Sequence, residues 1–150
     1  MNRSMRSRAP QHPPTPAQKR LRDELRHLTL WTMQGWLAMV FLAAGYAKLS
    51  ATMTVLGGLL SWVRPEFEPF VRALGVAEIC LGLSMVTPLL SWTIGRPVVR
   101  VGAVTMAGLA GAMTVLGAIE GDFRSFLLNI ALVGLSVTVA LGRWRHTEPV

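Results

Sequence analysis
Apolar residues in this chain fall into long blocks separated by short joints that are charged or contain proline. Four blocks carry about 18 or more mostly apolar residues, enough for a helix to cross a hydrocarbon layer about 30 Å thick. They cover residues 28–49, 70–90, 101–119 and 123–141. A fifth block, 51–63, is shorter and is broken by Gly57 and Gly58. It reads as a short interfacial or re-entrant helix. The pattern predicts an all-α integral membrane four-helix bundle, one polytopic domain over residues 28–145.

Local signals sharpen the boundaries. Residues 1–15 are rich in Pro, Ser and Arg and predict a disordered basic tail. Thr15 with Gln18 three residues later fits a capping box, and Pro16 suits the first helical position. Leu21, Leu25 and Leu28 follow at i, i+4 and i+7, so residues 16–27 read as a basic amphipathic helix lying at the membrane interface. Trp31 and Trp36 suit an interfacial belt at the start of the first span. That span is too long for the apolar core of a cleaved signal peptide. Residues 91–100 predict a short basic loop and residues 120–124 a tight polar turn. The glycines and alanines of 101–119 predict a helix at the centre of the packing. Gly142, Arg143, Trp144 and Arg145 form an interfacial stop before a tail at 146–150.

Charge adds orientation. The formal net charge is +7, and seven of the fifteen Lys and Arg residues precede Thr29. A basic terminus beside an apolar span reads as a positive-inside signal rather than a nucleic-acid site. With four spans, the side holding both termini carries eleven Lys and Arg and the other side four. Both termini are therefore expected in the cytoplasm. The lone cysteine, Cys80, lies in an apolar span, reads as a small buried hydrophobe, and has no partner for dithiol chemistry.

The polar residues inside the spans are the candidates for chemistry. A carboxylate at a helix centre costs roughly 2.5–3.5 kcal/mol to insert and needs a partner or a proton. Glu78 is such a residue, and Lys48 or Arg72 is its expected partner. Gly75 leaves room for a helix or ligand to approach, and Asn129 offers an interhelical hydrogen bond at the same level. Lys48, Arg72, Gly75, Glu78 and Asn129 thus make a candidate polar or binding cluster near the non-cytoplasmic side. It is either an ion-pair lock that fixes helix register or a pocket that binds a head group or relays a proton. No catalytic residue is identified. His12, His27 and His146 lie in tails or at the interface, so no intramembrane pair can ligate haem. No spacing makes a metal site, and no phosphate-binding glycine loop or serine triad is present.

The sequence Gly45-Tyr-Ala-Lys48-Leu49, followed in the next span by Arg72-Ala-Leu-Gly75-Val-Ala-Glu78, resembles the DoxX and DoxX-like family of small bacterial membrane proteins. The resemblance covers about residues 41–143 and rests on a Gly-x-x-Lys and an Arg-x-x-Gly-x-x-Glu motif in successive spans. It implies a four-helix multi-pass protein of the bacterial cytoplasmic (inner) membrane. One family member is a subunit of a thiosulfate:quinone oxidoreductase; no cofactor is expected in this chain, and a quinone is the one candidate the resemblance implies. Many relatives carry a histidine at the end of the third span, where this chain has Gly117-Ala118-Ile119-Glu120. That departure argues against carrying over redox activity. The expected role is a non-catalytic membrane subunit or scaffold of a redox-related complex near the quinone pool. The alternative is a small-molecule, lipid or quinone binder, or an oligomeric transporter, using the Glu78 cluster. The expected partners are the lipid bilayer and a protein partner or a second copy of the chain, with no nucleic acid.

Overall fold
A computed structural model describes residues 15–90 and 92–144, and among these every regular element is helical. The elements are α1 (Pro16–Ser50), α2 (Met53–Leu59), a 3-10 turn (Pro65–Phe67), α3 (Glu68–Leu90), α4 (Trp92–Ile119) and α5 (Phe123–Trp144). Four of them, α1, α3, α4 and α5, are long and apolar enough to cross a membrane. Of the basic tail over residues 1–15 only Thr15 is described, and the tail 146–150 lies outside the described residues.

The segment read as an interfacial helix and the first span form a single unbroken helix of 35 residues, α1. At 1.5 Å per residue it is about 52 Å long, well beyond the apolar thickness of a bilayer. It starts at the expected capping box: Thr15 N donates to Gln18 Oε1 at 3.0 Å, and Gln18 N donates to Thr15 Oγ1 at 3.4 Å. Residues 15–29 are all exposed and Leu30 is the first buried position. From there Leu30, Gln34, Leu37, Phe41, Gly45 and Lys48 recur every three or four residues and face the bundle.

Residues 91–100 correct the expectation of a loop. Residues 92–100 belong to α4, and Ser91 lies outside the described residues. Pro97 lies inside α4, five residues past its start, where it removes one i→i−4 backbone hydrogen bond without ending the helix. The corner is tight because Gly95 lacks a side chain: a Cβ there would come within 2.4 Å of Pro88 Cα. The 120–124 turn is as expected. Gly121 adopts φ +70°, a left-handed value that suits glycine, and Asp122 opens α5.

The four long helices pack antiparallel in a ring: α1 on α3, α3 on α4, α4 on α5, and α5 back on α1. The joint between α1 and α5 is the lightest of the four. One core fills the middle, with Leu37 and Phe41 from α1, Met85 from α3, Met106 and Ala110 from α4, and Val139 from α5. The outward faces carry large apolar side chains such as Leu83, Val104, Leu128 and Val137, as suits a lipid solvent. Cys80 belongs to this exposed face, which corrects its reading as a buried hydrophobe. The 51–63 segment does form a short helix, α2. It folds over one end of the bundle, with Leu56 and Val63 buried against Val71 of α3.

Candidate functional site
Glycine brings α1 and α3 together. A Cβ on Gly45 would stand 2.6 Å from the Gly75 carbonyl oxygen, and one on Gly75 would stand 3.0 Å from both Gly45 O and Lys48 Cβ. Seven residues on, Gly82 meets Leu42 and Ala38 of α1 in the same way. This backbone-to-backbone approach, permitted by small residues, sets Lys48 directly beside Glu78. Lys48 Nζ donates to Glu78 Oε1 at 2.8 Å and Oε2 at 2.7 Å. Both side chains are buried, with 10% and 8% of their surface exposed. Apolar surroundings make the single ions costly and the pair mutually dependent.

Arg72 does not reach Glu78. Six residues apart on a helix means about 600°, which turns the two side chains to different faces. Arg72 instead caps the end of α1. Its Nη1 donates to Lys48 O and, at 3.0 Å, to Ala51 O, and its Nη2 pairs with Glu68 at 3.2 Å. A cation on the last carbonyls of a helix complements its dipole. Lys48 is therefore held twice by α3, by side chain and by carbonyl. Asn129 does face the same level, but its Nδ2 donates to Ser125 O at 2.8 Å within α5. The expected interhelical bond is replaced by a local one.

A cavity of about 140 Å³ opens beside the ion pair. Lys48 and Glu78 form one wall, Asn129 and Ser125 another, and Phe41, Met113 and Leu132 supply apolar surface. Trp62, from the segment that folds over the bundle end, also borders it. A lysine ammonium has three N–H donors and a carboxylate about four acceptor positions. The pair itself uses two donors and two acceptors. One donor and further acceptor capacity are left at the cavity wall. Just outside the span, Asp122 accepts from Ser125 Oγ at 2.6 Å and from Ser125 N at 3.2 Å. These two bonds, the hydroxyl first, hold its carboxyl below the ordinary value of 3.8.

A second polar cluster, at the opposite end of the bundle, escaped the sequence reading. Gln34, buried in α1, donates from Nε2 to Met85 O of α3 and accepts at Oε1 from Arg143 Nη2 of α5 at 2.8 Å. Arg143 also lies over the Trp31 ring, 5.3 Å from its centroid. Arg100 of α4 donates to Arg143 O at 3.2 Å, so all four long helices meet there. The available signal was spacing: Gln34 precedes Lys48 by fourteen residues, four turns along the same face.

A family model described as the DoxX-like family matches residues 32–139. Neither the curated proteins nor the solved structures give a match. The matched region runs from the first span through most of the fourth and contains both the Lys48 and the Glu78 motifs. The chain belongs to the DoxX-like family and is a multi-pass membrane protein.

Proposed function
We propose that this DoxX-like protein binds a small amphiphilic molecule in the cavity beside Lys48 and Glu78. The observation that carries the reading is the unused hydrogen-bonding capacity of a buried ion pair on the wall of a cavity of about 140 Å³. An apolar cavity of about 150 Å³ is known to hold one benzene-sized ring. Here the walls add a donor, carboxylate oxygens and the Asn129 amide. A ring bearing carbonyl or hydroxyl groups, such as a quinone head, suits both the volume and the chemistry. Binding needs no redox centre in the chain, and the protein acts as a carrier or sensor of such a ligand near the quinone pool. The charge bias supports cytoplasmic termini in a bacterial inner membrane.

The test uses a short-chain benzoquinone and its quinol with the full-length protein in nonionic detergent. Saturable binding is expected in the wild type. Glu78→Gln, and Ala44→Phe, which fills the cavity while leaving the ion pair intact, are each expected to abolish it. Wild-type protein that binds neither probe, or Ala44→Phe protein that binds as well as wild type, sinks the reading.

A subunit or scaffold role is the second reading. It is favoured by the exposed α1 extension, whose Leu21, Leu25 and Leu28 lie along one face with no partner in the bundle. A protein copurifying in fixed ratio, and lost on Leu21→Ser/Leu25→Ser substitution, would carry it.

A further inference from the structure
A groove runs between α1 and α5 at the arginine-rich end of the bundle, two turns along α1 from the cavity. Leu30 and Met33 of α1 and Thr138 and Leu141 of α5 line it, with Thr29 and Arg26 at its mouth. α1 and α5 approach closely where Leu30 fits over Gly142; a Cβ on Gly142 would come within 2.5 Å of Leu30 Cδ2. Beside that contact, among the described residues, a groove of about 510 Å³ stays open.

The groove continues a cationic stripe. Lys19, Arg22 and Arg26 are spaced i, i+3 and i+7 on exposed α1, and Leu30 and Met33 extend the same face by another two turns. Asp23 flanks the stripe and offsets one charge, while Arg20 and Glu24 lie further round on the same side, about 120° and 160° from its centre. One helix face thus presents cations where it leaves the bundle and an apolar trough where it enters. We infer that the α1–α5 groove is a binding site for an acidic phospholipid. Its phosphate sits at Arg26 and Arg22, and one acyl chain lies along Leu30, Met33 and Leu141. Charge complementarity selects the anionic head, and the apolar groove below the cations selects a lipid over a soluble anion.

The test measures lipid binding to the full-length protein by native mass spectrometry, with phosphatidylglycerol, phosphatidylcholine and inorganic phosphate as probes. Phosphatidylglycerol is expected to bind more tightly than phosphatidylcholine, and phosphate is expected not to displace it. Arg26→Gln and Arg22→Gln should each weaken phosphatidylglycerol binding about fivefold, the worth of one cation near an anionic head group. Arg20→Gln removes the same charge from outside the stripe, about 120° round the helix, and should leave binding unchanged. Thr138→Trp, at an exposed position, fills the groove and should weaken both lipids. Equal binding of the two lipids overturns the inference. So does an Arg20→Gln loss as large as that of Arg26→Gln, or undiminished binding to Thr138→Trp.

Discussion

At the scale of single residues, the central fact is the dependence of Lys48 and Glu78 on each other. Removing one partner leaves the other charged in a low-dielectric site, which costs about 3–5 kcal/mol. Removing both costs far less, because well-packed apolar residues replace a buried pair almost without loss. Lys48→Met alone is therefore expected to lower the detergent-solubilised melting temperature sharply, and Lys48→Met/Glu78→Leu to recover most of it. A double variant no more stable than the single one would mean that the pair is not the source of the loss. Glu78's need for a partner was legible in the sequence, because a carboxylate within an apolar span is a cost that something must offset. Which cation meets it was only half legible. Six residues of helix turn Arg72 away from Glu78, but that Lys48 arrives instead depends on the glycine-mediated approach of α1 to α3. The roles of Arg72 and Asn129 turned on backbone carbonyls, which a sequence pattern does not display.

At the scale of elements, the glycines divide into two kinds. Gly45, Gly75 and Gly82 stand where a side chain would strike the neighbouring helix, whereas Gly108 has nothing within 4 Å of a Cβ position. Gly45→Leu is expected to destabilise the bundle by at least about 1–3 kcal/mol through overpacking, and Gly108→Leu to leave it unchanged. Thermal unfolding of the two variants separates them, and equal losses would remove the distinction. The start of α5 makes a different prediction. Asp122 caps this helix, and its folded carboxyl titrates below 3.8. A lowered folded value means a contribution that is full above pH 3.8 and is lost as pH falls through the folded value. Wild-type protein should thus melt above Asp122→Ala at neutral pH, and the gap should close in more acidic buffer. A gap that persists unchanged below that range would show that the cap does not depend on charge. Element ends were the least legible feature. The bases and proline of 91–100 read as a loop, yet Gly95 lets that stretch turn tightly against Pro88 and continue as helix.

At the scale of the whole molecule, four spans place residues 20 and 66 on opposite faces of the membrane. Because Cys80 is the lone cysteine, Cys80→Ser gives a background free of thiols. In intact cells a membrane-impermeant maleimide is expected to label Glu66→Cys in that background, and Arg20→Cys only after lysis. The reverse pattern would invert the cytoplasmic placement of the termini. The number of spans and their antiparallel order were plain in the sequence, since block length and short joints dictate them. The cavity was not, because its walls come from residues as distant as Ala44 and Leu132.

A ring of helices with three firm joints and one thin one behaves like a split ring: it parts at the thin joint. Here that joint lies between α1 and α5, and both helices border the cavity, through Phe41 and Ala44 on one side and Asn129 and Leu132 on the other. For the ligand proposed above, a path through that joint runs sideways from the lipid, with no crossing of water. A ligand that uses it is metered by its solubility in the bilayer rather than by its concentration outside.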